Sequence, residues 1–98
     1  MAEVVQRMVK DSIRAILEKN EALAHDVIKQ DREVDELHQK IYKNLLSDMI
    51  NDPDTIERAT SLLLVAIKLE RMADHATNIC EDVIFLITGL TVRHQGKF

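Results

Sequence analysis

Helix breakers are almost missing from this chain, and that restricts its fold more than any other feature. The 98 residues hold two glycines and one proline. Pro53 stands near the middle, and Gly89 and Gly96 fall close to the C-terminus. The spans 2–19, 21–50 and 54–88 contain neither residue type. A β-sandwich needs tight turns at short intervals and favours aromatic strands, whereas this chain has one Tyr, two Phe and no Trp. Long helices are the alternative. Hydrophobic residues make up 46%, enough to build a core and to argue against disorder.

Apolar spacing supports this reading. Val5, Met8, Val9, Ser12, Ile13, Ile16 and Leu17 recur at steps of three and four, which predicts an amphipathic helix over about 2–19. Asn20 suits the N-cap of a second helix over about 21–50, whose seam is Leu23, Val27, Val34, Leu37, Ile41 and Leu45. Asn51-Asp52-Pro53-Asp54 predicts a turn, because proline pushes the preceding residue out of the helical region and starts a helix well. A third helix is expected over about 54–88, with Gly89 as its C-terminal cap and 89–98 as a tail. The fold class is therefore all-α: one domain over 1–98, an up-down-up three-helix bundle of the spectrin-repeat kind. Cys80 and the methionines Met8, Met49 and Met72 read as core filler on these spacings. Val83-Ile84-Phe85-Leu86-Ile87 is apolar on every side, and the end of a three-helix bundle cannot bury all of it, so it is expected to dock another subunit or domain.

Charge and cysteine usage narrow the function classes. The formal net charge is −4, so the basic footprint of a nucleic-acid binder is missing. A single cysteine forms no internal disulfide and implies no oxidising compartment. The first ten residues mix Glu3, Arg7 and Lys10 among apolar ones, unlike a signal peptide. The longest apolar run, Val83–Val92, falls short of the roughly 20 residues a membrane span needs. The expectation is a soluble, cytoplasmic protein without direct membrane insertion.

Four acidic residues carry the chemistry. Asp31 with Asp35, and Glu70 with Asp74, are four apart, so each pair shares a helix face. Asp35 lies 17 residues before residue 52 and Glu70 lies 18 after it; Asp31 lies 21 before and Asp74 lies 22 after. Equal distance from a turn means equal height in an antiparallel pair. All four carboxylates should therefore gather at one level, beside the core seam rather than opposite it. Ionised together they repel. A bound cation, raised pKa values, or pairing with Arg32 and Arg71 would each relieve the repulsion, and a solvated charged face is the plain alternative. His38 shares the stripe of Asp31 and Asp35, while His75 lies away from the core. No Gly-rich phosphate loop and no base beside Cys80 support a catalytic residue.

The stretch Leu69-Glu70-Arg71-Met72-Ala73-Asp74-His75-Ala76-Thr77-Asn78-Ile79-Cys80-Glu81 resembles the signature of the PhoU family: Glu-Arg, two small or apolar residues, Asp, then Asn-Ile-x-Glu. Asp31-Arg32-Glu33-Val34-Asp35 resembles that family's second acidic element, and Asn51-Asp52-Pro53 and Arg93-His94 match in place. PhoU proteins commonly hold two three-helix repeats; this chain holds one, resembling the C-terminal one. The resemblance implies a negative regulator of phosphate transport and of the phosphate-starvation response. Its partners would be the ATPase subunit of a phosphate ABC transporter and a sensor histidine kinase, with homo-oligomerisation also expected and no enzymatic reaction. It implies metal ligands at Asp31, Asp35, Glu70 and Asp74, with Fe, Mn, Mg, Zn or Ni as candidate ions. Glu81, Asn78, His38 and Arg71 are further candidates for metal or partner contact. Two other readings stand beside it. A di-iron-like enzyme would normally need four helices and two Glu-x-x-His motifs, which this chain lacks. A plain helical oligomerisation module would leave the acids solvated.

Overall fold

The computed structural model describes residues 1–94. Helix α1 spans Ala2–Glu18, α2 spans Glu21–Asn51 and α3 spans Ile56–His94, with a single 3-10 turn at Pro53–Thr55 between α2 and α3. No strand is present among the described residues. The helices run up, down and up in a rod 64 × 21 × 16 Å. The continuity expected of α2 holds across 30–33, since nothing there breaks the hydrogen-bond ladder.

Each chain reversal is closed by local chemistry. At the end of α1, Lys19 adopts the left-handed conformation with φ of 50°, and its N–H donates to Ile16 O at 3.4 Å. Asn20 N–H reaches back to Ala15 O at 3.0 Å, which completes a Schellman stop with lysine where glycine is usual. Asn20 then caps α2, its Oδ1 accepting from Leu23 N–H at 3.1 Å. At the second reversal, Asp52 Oδ1 accepts from Asp54 N–H at 3.1 Å, and the Thr55 hydroxyl donates to Asp52 O at 2.7 Å. This turn occupies 53–55, so α3 begins at Ile56 rather than near residue 54.

The far end of α3 corrects the expected cap. The helix runs through Gly89 to His94, and Gly89 is not in the left-handed region that a C-terminal cap requires. A glycine inside a helix costs about 1 kcal/mol against alanine, too little to end a helix of this length. Residues 89–94 are therefore helix, while the side chains of Arg93 and His94 and residues 95–98 lie outside what is described.

The core is built from small side chains. On α3 the buried residues Ala59, Ala66, Ala73 and Cys80 recur every seven residues, joined by Ala76 and Val83. They meet Ala24, Val27 and Val34 of α2, and Val5, Met8, Ser12 and Ala15 of α1. Small residues let helix axes approach closely. Ser12 is satisfied inside, its hydroxyl donating to Val9 O at 2.7 Å. Several expected core residues lie elsewhere: Met72, Ile13, Ile16 and Leu17 are exposed, and Leu23, Leu37, Ile41, Leu45 and Met49 are half-buried. Periodicity marked the right helices but misplaced the centre of the stripe, because alanine carries little weight in a hydrophobic pattern.

Helix α1 is short, so it covers one half of the α2–α3 pair. Val5, Met8 and Ala15 pack with Ala24, Val27, Val34, Ala73, Ala76, Cys80 and Val83, a cluster that leaves out Ala59 and Ala66. The Arg7 guanidinium fastens α1 to α2, with Nε donating to Gln30 Oε1 at 3.0 Å and Nη2 lying 3.8 Å from Glu33. The expectation for 83–87 divides: Val83 is in the core, Ile84 and Ile87 pack against it, and Phe85 and Leu86 face outward. The caps around the first reversal make opposite predictions. Lys19→Gly relieves left-handed strain and is expected to stabilise by about 0.5–1 kcal/mol, whereas Asn20→Ala removes the α2 cap and costs about 1 kcal/mol; urea unfolding of both variants checks the two signs.

Candidate functional site

The acidic residues gather where α2 and α3 face each other, on the edge of the pair that α1 leaves open. Asp31 and His38 occupy the seven-residue row Ala24, Asp31, His38, Leu45, which runs along the core side of α2. This places two polar side chains at positions that the packing treats as interior. Asp31 Oδ1 is buried and has no hydrogen-bond partner. His38 Nδ1 is buried too and lies 3.1 Å from Glu70 Oε2, without the angle of a directed hydrogen bond. Asp35, Asp74, Asn78 and Glu81 are exposed, and Glu70 is half-buried.

Electrostatics shows that these groups act on one another. The Asp31 carboxyl is pushed above its ordinary 3.8, first by burial and then by the negative charges of Asp35, Asp74, Glu70 and Glu81. The negative charges acting on Asp31 come from both helices, and His38 of α2 beside Glu70 of α3 marks the level at which the two acidic motifs face each other. Neither Arg32 nor Arg71 forms an ion pair among the described residues, and both are exposed, so arginine pairing does not relieve the repulsion. Among the described residues, no group of three or more His, Cys, Asp or Glu side chains converges closely enough to enclose one ion. The acids line an open edge rather than a finished cage.

The donor set suits a metal all the same. Carboxylate oxygens are ligands for hard cations, and an imidazole nitrogen beside them extends the range to Mn, Fe, Zn and Ni. The buried, unpartnered Asp31 Oδ1 is an acceptor with nothing to accept from. Asp31, Asp35, Glu70 and Asp74 are the carboxylates on this edge that could offer oxygens to such an ion, once side chains turned toward it.

The remaining candidates fall into plain roles. His75 is exposed, and His25 pairs with Glu21 on its own helix, Nε2 to Oε1 at 3.5 Å. Cys80 is a buried core thiol, and burial together with the charge of Asp11 pushes its pKa up, away from thiolate chemistry. Sequence reasoning treated the four acids alike and missed that Asp31 and Glu70 are half-buried while Asp35 and Asp74 are exposed, and that Asp31 Oδ1 is left without a partner. The row 24-31-38-45 was the available signal.

The opposite edge, between α1 and α3, is apolar. A groove of about 540 Å³ opens there, with Val9, Ile13, Leu69 and Met72 among its walls. No helix among the described residues is long and apolar enough to cross a membrane.

An all-α bundle carrying two acidic motifs on facing helices is the class that these features define. The PhoU domain pattern matches residues 1–83. A phosphate-specific transport system accessory protein PhoU homolog of Clostridium acetobutylicum is 41% identical over 92 residues, covering 94% of this chain and 42% of that protein. Homologs of the same description are 44% identical in Caulobacter vibrioides, over 97% of this chain and 41% of that protein, and 41% identical in Aquifex aeolicus, over 97% and 43%. The chain belongs to the PhoU family. It spans less than half the length of these relatives.

The elevated Asp31 acidity has a defined sign. The folded chain holds this proton more tightly than the unfolded chain does, so its contribution to stability is present at low pH and lost as pH rises above 3.8. Asp31→Asn is therefore expected to stabilise the metal-free chain at pH 7 by about 0.5–1 kcal/mol, the scale of a few like-charge helix pairs. The gain should vanish near pH 3, as denaturant unfolding at the two pH values would register.

Proposed function

We propose that this chain is a regulatory interaction module of phosphate transport, working in the cytoplasm without a catalytic step. The observation that carries the reading is the buried Asp31 Oδ1 without a partner, under the negative charges of Asp35, Glu70, Asp74 and Glu81, in a chain that belongs to the PhoU family. The names of its relatives, as accessory proteins of a phosphate-specific transport system, support the transport connection. The partners proposed are the ATPase subunit of a phosphate ABC transporter and the cytoplasmic region of a sensor histidine kinase.

In this reading the metal acts as a charge switch. Asp31, Asp35, Glu70 and Asp74 hold a divalent or iron ion on the open edge, and the ion neutralises carboxylates that otherwise repel. His38, held beside Glu70, stands within reach of the same edge. Exposed Arg71, Asn78 and Glu81 would then meet the partner protein, Arg71 through its guanidinium. With the metal bound, the edge changes from net negative toward neutral, and an acidic partner surface is no longer repelled.

Two measurements test the two halves of this proposal. Mn²⁺ at 100 times its dissociation constant should raise stability by about 2.7 kcal/mol, because it binds only the folded chain; in the Asp35→Ala/Asp74→Ala variant the gain should be lost. An unchanged gain in that variant would sink the site. Pull-down of the ATPase subunit and of the kinase region, with Mn²⁺ and then with chelator, should show metal-dependent capture of at least one. A folded chain that captures neither under both conditions overturns the regulatory role.

A further inference from the structure

The seam that carries α1 goes on beyond the point where α1 stops. Arg7 meets Gln30 and Glu33, so Ala2, at the start of α1, stands level with about residues 35–38 of α2. The rest of α2, down to Asn51, is roughly 20 Å of helix. On α2 the seven-residue row Val27, Val34, Ile41, Asp48 starts under α1 and continues past it. On α3 the row Val83, Ala76, Leu69, Leu62 does the same. Val27, Val34, Ala76 and Val83 are buried in the cluster that holds α1, and Leu69 packs against it. Further down the same rows lose their cover. Ile41 and Leu45 are only half-buried, and Leu62 and nearby Val65 are exposed by 50% and 54%. A groove of about 260 Å³ lies there, with Leu45, Ala59 and Leu62 as apolar walls and exposed Asp48 and Arg58 at its rim.

We propose that this groove takes an amphipathic helix of a partner protein, laid end to end with α1 in the third position of the bundle. Continuity with the α1 interface sets the occupant's shape. Rows that hold the apolar face of one helix above suit another below, apolar at steps of three and four. The open length takes about 14 residues of helix. Helix α1 does not fill the place itself, because Lys19 and Asn20 alone link it to α2 and tie it beside the start of that helix. Charge sets the occupant's polar flanks. Asp48 and Arg58 stand at the turn end of the groove, on opposite helices, and neither forms an ion pair among the described residues. The partner helix should therefore carry a basic side chain on the flank toward α2 and an acidic one on the flank toward α3, both near the end that reaches the turn. A helix inserted the other way round would bring these charges to the wrong end, so the rim selects direction as well. The acidic edge lies on the other side of the α2–α3 pair, and docking here depends on neither the metal nor the regulatory reading.

Two fluorescein-labelled peptides of about 14 residues test this, each with leucines at steps of three and four. One carries Lys and Glu on opposite flanks of its first turn, and the other has these two exchanged. Fluorescence anisotropy should show that the full wild-type chain prefers one of the pair several-fold. In the Asp48→Lys/Arg58→Glu variant the preference should reverse, because the rim charges have changed places. Leu62→Lys, a change at an exposed position, should leave helicity intact by circular dichroism and weaken both peptides by about tenfold or more. A folded wild-type chain that binds neither peptide overturns the proposal. So does binding that Leu62→Lys leaves unchanged, or a preference that the double variant does not reverse. Sedimentation showing a wild-type dimer that Leu62→Lys returns to the mass of one chain would also overturn it, since a second copy would then be the occupant.

Discussion

The close seam of small residues along α3 is the contact on which the rest of this molecule depends. Ala59, Ala66, Ala73 and Cys80 present almost no side-chain bulk, so α2 and α1 can settle directly against the α3 backbone. A seam of alanines gains less from burial than one of leucines, because each side chain removes little apolar surface from water. It gains proximity instead. Groups beside the seam are brought close to the facing helix, and that sets the character of both edges.

On the α2 edge, proximity gathers acids. Asp31 sits in the interior row of its helix, and the facing turn of α3 offers Glu70 and Asp74 rather than a base. Folding thus imposes a local cost that hydrophobic packing elsewhere must offset. Structures retain such arrangements at sites where something else balances the charge. On the α1 edge the same narrow core leaves larger side chains outside. Met72 and Ile79 lie outside the seam, on an exposed apolar face. One α3 helix therefore displays a charged edge and an apolar edge on opposite sides of a single alanine row.

Much of this was legible in the residues. The absence of Gly and Pro from three long spans, Asn20 as a cap and the Pro53 turn gave the helices to within a few positions at most boundaries. The count of residues from the turn placed Asp31 level with Asp74, and the mutual influence of these acids follows from that height. Gly89 misled, since its backbone freedom permits a stop without compelling one. Met72 misled for another reason: a pattern weighted by size favours large apolar residues, while this core selects small ones.

The sequence by itself determined that the chain is helical, where it reverses, and which acids share a height, because these depend on backbone propensity and on axial rise, both local quantities. Only the tertiary structure decided which side of each helix faces inward. That choice rests on how closely three helices can approach, a property of all of them at once. It buried the Asp31 Oδ1 atom while Asp35, one turn away, stayed in water, and it set the alanines inside and left Met72 and Ile79 exposed.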